Sequence, residues 1–500
     1  MIFIIPDTDQ KNAQGHLRSM IIHTLPFGIG ALASILERDG VPAIIVNDGI
    51  TPVTPALLKE LAARERKRPV FGLTSLTLQA YRAKEIHAMI RRELPDAAVI
   101  VGGIHAAAMP EEFLEAGFDH VFAGEADLVI TELATRLAGG SDIKDMPGVV
   151  YRDGSGKVVR NPPAPFIDLK DLPPFPYHLF QEHLDHYDLG AVLSSRGCPY
   201  GCIFCSQRSL TGVRYRSRPL EHVLAELDIV VERYGKNFIT FFDDNFVVNR
   251  QRVEELCRAL AAPKYAGRVQ FMCQMRGDAA TEDILSLLKA AGFVALSFGI
   301  ETGSERMAEF IKKGETVEQN AGAVRLAHAR GFKTLGTFII GFPTETDEER
   351  RQTLKLAMSL PLDVLRINIA IPYPGTPLFE MVKDRLTISE GWGNFNVVSP
   401  LVTGPLRKQP LPYVPEGTTE DRIRALMLWN NLKFWLRPSG LMNFFFRKST
   451  FVTRPPQRGY LQLSFLWSLA NLGFTTLLNL LWVGWVNLKW RIAGTGRFRK

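Results

Sequence analysis

"SSRGCPYGCIFCSQ", residues 194–207, decides how the chain is read. It holds three of the five cysteines, Cys198, Cys202 and Cys205, in a C-x3-C-x2-C spacing with no histidine in the loop. Structural zinc takes four protein ligands, and catalytic zinc usually includes His. The usual ferredoxin spacings also differ from this one. Three thiolates in one loop suit a cubane iron–sulfur cluster in which one iron has no protein ligand and can bind something else. Cys257 and Cys273 lie in a helical and a strand-like stretch and read as packing residues.

Six strand candidates surround this loop: "AVLSSRG", "NFITFFDD", "VQFMCQMR", "VALSFGIET", "KTLGTFIIGFP" and "VLRINIAIPYP". Amphipathic stretches such as "PLEHVLAELDIVVERYG" and "TEDILSLLKAAG" separate them. The alternation predicts a partial (β/α)6 barrel of TIM type over residues 188–385, with its chemistry at the carboxyl ends of the strands. The polar motifs of this region fall at those ends.

The run "RGCPYGCIFCSQ" resembles the cluster loop of the radical S-adenosylmethionine (SAM) enzymes. The resemblance covers about residues 188–380. It implies a 4Fe-4S cluster whose open iron chelates SAM, and whose electron cleaves the sulfonium to a 5′-deoxyadenosyl radical. Phe204 matches the family's aromatic beside the adenine. Asp243 and Asp244 in "TFFDDNF" would face the SAM ammonium, although Asp is also an ordinary helix cap. Arg276 resembles the position facing the SAM carboxylate, Glu301 that facing the ribose or amino group, and Ser297 accompanies it. Gly336 and Gly341 lie in the segment matched to the adenine site and permit close backbone approach.

Residues 1–150 alternate buried strands ("MIFII", "PAIIV", "VFGLTS", "AAVIVGG", "HVFAG") with helices such as "GIGALASILERDG" and "PEEFLEAG". This predicts a doubly wound, Rossmann-like α/β domain. The N-terminus reads as a buried strand and not as a signal peptide. Joined to a radical SAM barrel, such a domain resembles the cobalamin-binding domain of one large subgroup. Thr74, Ser75, Gly102, Gly103, Gly124 and Glu125 mark three strand ends and are the residues expected at the corrin. A cobalt-ligating D-x-H-x-x-G motif is missing, and His105 stands at the wrong spacing. "VVYRDGSGKVVRN" predicts a hairpin, and the Pro-rich stretch that follows predicts a surface linker, together forming a connection over residues 151–187.

Residues 386–500 are expected to form a helical, basic and aromatic tail. Within 421–500 there are 13 Lys/Arg against one acidic residue, Asp421, and six of the chain's seven tryptophans. Residues 459–488 carry no charge, and Ser464, Ser468, Asn471, Thr475 and Asn479 recur at helical spacing. A membrane surface fits this pattern, as an interfacial helix, a span, or a helix packed on the barrel. Nucleic acid is not expected. Five cysteines with no paired pattern fit a reducing cytoplasm, with the tail against the inner face of the membrane.

The resemblance implies a cobalamin-dependent radical SAM methylase acting on an unactivated carbon of a hydrophobic small molecule, reduced by a donor such as flavodoxin or ferredoxin. A cyclising, ring-contracting or oxidising enzyme with the same cofactors is the alternative. A membrane-associated iron–sulfur electron-transfer or binding protein is an alternative of another class.

Overall fold

The computed structural model describes residues 1–8, 23–395, 409–437 and 477–489. The five apolar runs of the first domain become parallel strands β1 (Ile2–Ile5), β2 (Ile44–Asn47), β3 (Val70–Thr74), β4 (Ala98–Gly102) and β5 (His120–Phe122). Their pairing order is 2-1-3-4-5. Near-continuous apolar sequence is what a parallel sheet covered by helices on both faces requires. Helices Phe27–Arg38 and Ile130–Ala138 pack on one face and Ala80–Glu93 on the other. The doubly wound expectation is borne out.

The expected hairpin forms, but it belongs to the first sheet. Its arms β6 (Val149–Arg152) and β7 (Val158–Arg160) extend the β5 edge in antiparallel fashion. The Pro-rich stretch also differs from the surface linker expected of it. Ala164, Ile167 and Leu169 are buried in the core under helices Phe27–Arg38 and Ile130–Ala138. Apolar residues between the prolines anchor the segment.

The second sheet is parallel throughout and sequential: β8 (Ala191–Val192), β9 (Phe238–Phe241), β10 (Gln270–Met275), β11 (Phe293–Glu301), β12 (Lys333–Ile340) and β13 (Val364–Ile369). Five of the six fall within a strand candidate, and β11 begins one residue before its candidate, at Phe293. The sheet is open, since β8 and β13 do not pair. Capping boxes at Thr316/Gln319 and Thr346/Glu349 start two of the covering helices, each satisfying orphan N–H groups reciprocally.

Helix Glu420–Trp435 lies on β13. Its Asn431 side chain accepts from Ile367 N at 3.2 Å and donates to Ile367 O at 3.1 Å, so it stands in for the missing next strand. A helix over residues 477–489 packs on this one through Val483 and Val486 against Ala425, Leu428 and Leu432. Most of the expected uncharged stretch, including Ser464, Ser468, Asn471 and Thr475, lies outside the described residues. Among the described residues no helix is long and apolar enough to cross a membrane.

Candidate active site

The loop with the three cysteines follows a short ribbon, in which Ser195–Arg196 pairs antiparallel with Arg216–Ser217. Gly197 takes φ +85°, and a Cβ there would clash with Arg214 O, so only glycine fits this exit. Ile203 anchors the loop from within. Its N–H donates to Ile311 O and its carbonyl accepts from Leu378 N, both at 3.0 Å. Phe204 is half-buried, with its ring 5.8 Å from Phe342.

Cys198, Cys202 and Cys205 are half-buried and free of disulfides. Burial pushes all three thiols up, Cys205 to about 11. Asp244 lies near enough to Cys198 and Cys205 to add to this, whereas Lys313 and Arg276 oppose it at Cys198 and Cys202. Left without a cation such thiols stay protonated, and a bound metal reverses that balance.

The two aspartates after β9 separate in role. Asp243 is buried, accepting from the Ser194 and Ser195 hydroxyls with Arg252 nearby, and so pins the end of β8 to the end of β9. Asp244 is exposed as a residue and is the one open to a ligand. Partial desolvation and the Asp243 charge raise its carboxyl, opposed by the Gly197 N–H.

Arg276, after β10, has its guanidinium committed. It donates to Asp278, to Lys313 O at 2.8 Å and to Gly314 O at 3.2 Å, and it stacks 3.6 Å from the centre of the Tyr200 ring. It therefore clamps the cysteine loop to the 313–315 turn.

Glu301 ends β11 in the left-handed region, at φ +68°, a costly conformation for a residue with a Cβ. Its carboxylate folds over Gly299, where a Cβ would collide with Glu301 Oε1. Buried Lys313 faces it at 3.8 Å and faces Glu315 at 3.1 Å. Burial opposes the charge on Lys313, but the two carboxylates outweigh it and raise its pKa. Burial raises Glu301, and its Oε2 has no hydrogen-bond partner. Ser297 is buried on the same strand, in register with Gln274 and Leu335.

Gly336 is glycine for packing, since a Cβ would lie 2.8 Å from Leu362. Gly341, at φ +90°, has more room and donates its N–H to Glu345 Oε2 at 2.5 Å.

In the first domain the six expected residues gather at the adjacent carboxyl ends of β3, β4 and β5. Gly103 (φ +97°) packs directly on Thr74 and Ser75, with a Cβ contact of 2.8 Å to Ser75 N. The Ser75 hydroxyl donates to Leu76 O. Gly124, at φ +118°, opens onto space. Glu125 is already occupied. Arg216 binds it bidentately at 2.6 and 3.0 Å, and Arg196 of the cysteine ribbon reaches both Glu125 and Asp127. His105 is buried, with Nε2 3.1 Å from Glu112 Oε2 and Nδ1 unpaired. Burial would raise Glu112, but His105 and Lys84 outweigh it and bring it to about 2.

A family model described as the radical SAM superfamily matches residues 192–357, and one described as the B12 binding domain matches residues 22–134. An uncharacterized methyltransferase of Pyrococcus horikoshii is 31% identical over 446 residues, which is 87% of this chain and 93% of its own. The chain belongs to the cobalamin-binding radical SAM family. The anaerobic magnesium-protoporphyrin IX monomethyl ester cyclase of Rubrivivax gelatinosus is 27% identical over 391 residues, 75% of this chain and 69% of its own. The radical SAM methyltransferase TsrM of Kitasatospora setae, solved with cobalamin and a 4Fe-4S cluster, has the same fold. Its TM-score is 0.68 at 21% identity, over 86% of this chain and 90% of that one.

This radical SAM enzyme therefore uses a 4Fe-4S cluster, SAM and cobalamin. Its residues fit the cluster. The three thiols influence one another, yet among the described residues no three His, Cys, Asp or Glu side chains converge closely enough for a single metal ion. Three neighbouring thiols in one loop are the kind of donor set an iron–sulfur cluster takes.

Lys313 and Glu315 escaped the sequence reading, because "KKGE" looks like a solvated turn. So did Asn245, which is buried at the end of β9 with both amide atoms unpaired. Only its place in "FFDDNF" beside the two aspartates could have drawn attention to it.

Proposed function

We propose that this enzyme methylates an unactivated carbon of a hydrophobic small molecule, with electrons from a flavodoxin- or ferredoxin-like donor. The carrying observation is the chain-long similarity to the P. horikoshii methyltransferase, joined to a site of matching chemistry. When bound, the cluster supplies one electron to the sulfonium of SAM, and cobalamin supplies a methyl carrier.

The chain's own residues do the rest. Cys198, Cys202 and Cys205 would hold the 4Fe-4S cluster, which would then be available to bind SAM. Asp244 and Glu301 accept from the SAM ammonium, with Ser297 beside them. Lys313, which faces Glu301 and Glu315 beside the cysteine loop, offers an ammonium for the SAM carboxylate, while Arg276, bound to Asp278 and to backbone carbonyls, holds the loop in place. Phe204, Phe342 and the backbone at Gly341 form the wall for adenine. The ends of β3, β4 and β5 cradle the corrin through Thr74, Ser75, Gly102, Gly103 and Gly124, while Glu125 acts by holding Arg216.

Cyclisation or oxidation without methyl transfer is a second reading, favoured by the similarity to the R. gelatinosus cyclase. Supplying SAM with an isotopically labelled methyl group separates the two. Label in the product supports methylation. Product formed without label, alongside 5′-deoxyadenosine, overturns it.

A further inference from the structure

The helix over residues 477–489 is inside out for a surface in water. It buries Asn479 with Val483 and Val486, and Asn487 accepts from Arg422 Nη1 at 2.7 Å. Its exposed side carries Leu477, Leu481, Trp485 and Leu488, at steps of four, four and three residues, which is one stripe of a helix. Trp429 and Leu436 of the neighbouring helix are exposed too. Each follows by four residues a side chain, Ala425 or Leu432, that packs under helix 477–489. Single exposed leucines are ordinary, but a contiguous patch marks a contact surface.

Charge identifies what that surface meets. Lys489 lies 5.2 Å over the Trp485 ring, and Lys433 is exposed four residues after Trp429. Arg491, Arg497, Arg499 and Lys500 follow in sequence, and Asp421 is the single acidic residue from 421 onward. A second copy docked by two-fold symmetry would bring Lys433 and Lys489 of both copies to one interface. An anionic bilayer satisfies both features. Leucines enter the acyl boundary, tryptophan lies at headgroup depth, and Lys/Arg meet the phosphates.

We propose that this face docks on an anionic lipid bilayer, with helix 477–489 lying in the interface plane. The polar side of the helix, Asn479, is turned into the protein, opposite to the polar-out arrangement that its sequence stripe suggests for an interfacial helix. Docking of this face does not depend on the methylation chemistry.

The test is flotation of the full-length, cluster-loaded protein with vesicles of phosphatidylcholine alone or mixed with phosphatidylglycerol. The bound fraction is expected to be about tenfold higher on the anionic vesicles and to fall with salt. Leu481→Glu with Trp485→Glu should abolish flotation while leaving the cluster absorbance and reductive SAM cleavage unchanged. Arg491→Glu with Arg497→Glu and Arg499→Glu, which leaves the helix intact, should remove the anionic preference. Failure of the wild type to float, equal flotation on both vesicles, or flotation of the Leu481/Trp485 variant would overturn the proposal. A wild-type dimer that the same variant turns into a monomer would assign the face to a second copy and also overturn it.

Discussion

Arg196, two residues before Cys198, donates to Asp127 Oδ1 at 2.9 Å and thereby ties the cysteine loop to the first domain. Arg216, on the paired strand, grips Glu125 two residues earlier in the same turn. All four side chains are largely buried. Removing one member of a buried ion pair leaves a charge uncompensated, at about 3–5 kcal/mol. Asp127→Asn keeps shape and one acceptor, so a loss of about 2 kcal/mol in unfolding free energy is expected. The spacing of the thiols is set within the second domain, whereas the distance between the domains is set here. Conversion of the substrate, which draws on both domains, should therefore fall more than 5′-deoxyadenosine formation does. Equal losses of the two products would restrict the pair to holding the loop in place.

Lys313 neutralises two carboxylates that would otherwise face each other in the interior. Lys313→Met should leave Glu301 and Glu315 competing for a proton and cost about 3 kcal/mol. Lys313→Arg should restore most of that stability. If Lys313 also receives the SAM carboxylate, SAM affinity measured by equilibrium dialysis should fall in the Met variant and be partly rescued by Arg. Unchanged affinity in the Met variant would leave Lys313 a purely structural cation.

The strands of both sheets were readable because each is a short apolar run bounded by turn residues, and the cysteine loop was readable because its spacing is local. Strand order was not readable, since nothing in β1 states that it lies between β2 and β3. Interior electrostatics were equally hidden. Asp243 and Asp244 are neighbours in sequence, yet one is sealed under Ser194 and Ser195 while the other faces outward, a difference fixed by the pleat and by a strand some 50 residues earlier. Arg276 had the look of a ligand-binding arginine, but the turn at 313–315 and Tyr200, both remote in sequence, occupy it. Glu125 was drawn into the site by its glycine neighbour, and Arg216 claims it from 91 residues away. Pattern finds elements and local ligand sets. Pairings between distant charges depend on packing that no single segment encodes.

Glu345 gives a pH dependence of definite sign. It is buried beside Gly341, and burial holds its carboxyl at about 7, against 4.5 for the free side chain. The folded state thus binds this proton more tightly than the unfolded state does. Its contribution is full below about pH 4.5 and is lost as pH rises through about 7, by up to ~3 kcal/mol. Glu345→Gln retains an oxygen for the Gly341 N–H, and Arg350 keeps Asp347 at 2.6 Å. The variant should be more stable than wild type at pH 8, with the advantage vanishing at pH 4.5, as read by denaturant unfolding at both pH values. A constant difference across that range would mean that Glu345 does not titrate there.

Asn431 closes the last edge of the open sheet. An edge strand presents unpaired N–H and C=O groups, and burying them without partners costs about 1–3 kcal/mol each. Helix Glu420–Trp435 covers β13, and the amide of Asn431 bonds both polar groups of Ile367 while also donating to Met427 O. Asn431→Leu keeps the volume but strands Ile367 N and O in the interior. It should lower unfolding free energy by about 2–4 kcal/mol. Asn431→Asp keeps the acceptor for Ile367 N and loses the donor, so its loss should be intermediate near pH 4 and larger at pH 8, where a buried carboxylate would face the Ile367 carbonyl. Hydrogen exchange at the Ile367 amide reads the same contact directly. Faster exchange there in the Leu variant, with the amides of β10 and β11 unchanged, is the expected pattern. Uniform acceleration across the sheet would show instead that the helix supports the whole domain and not this edge alone.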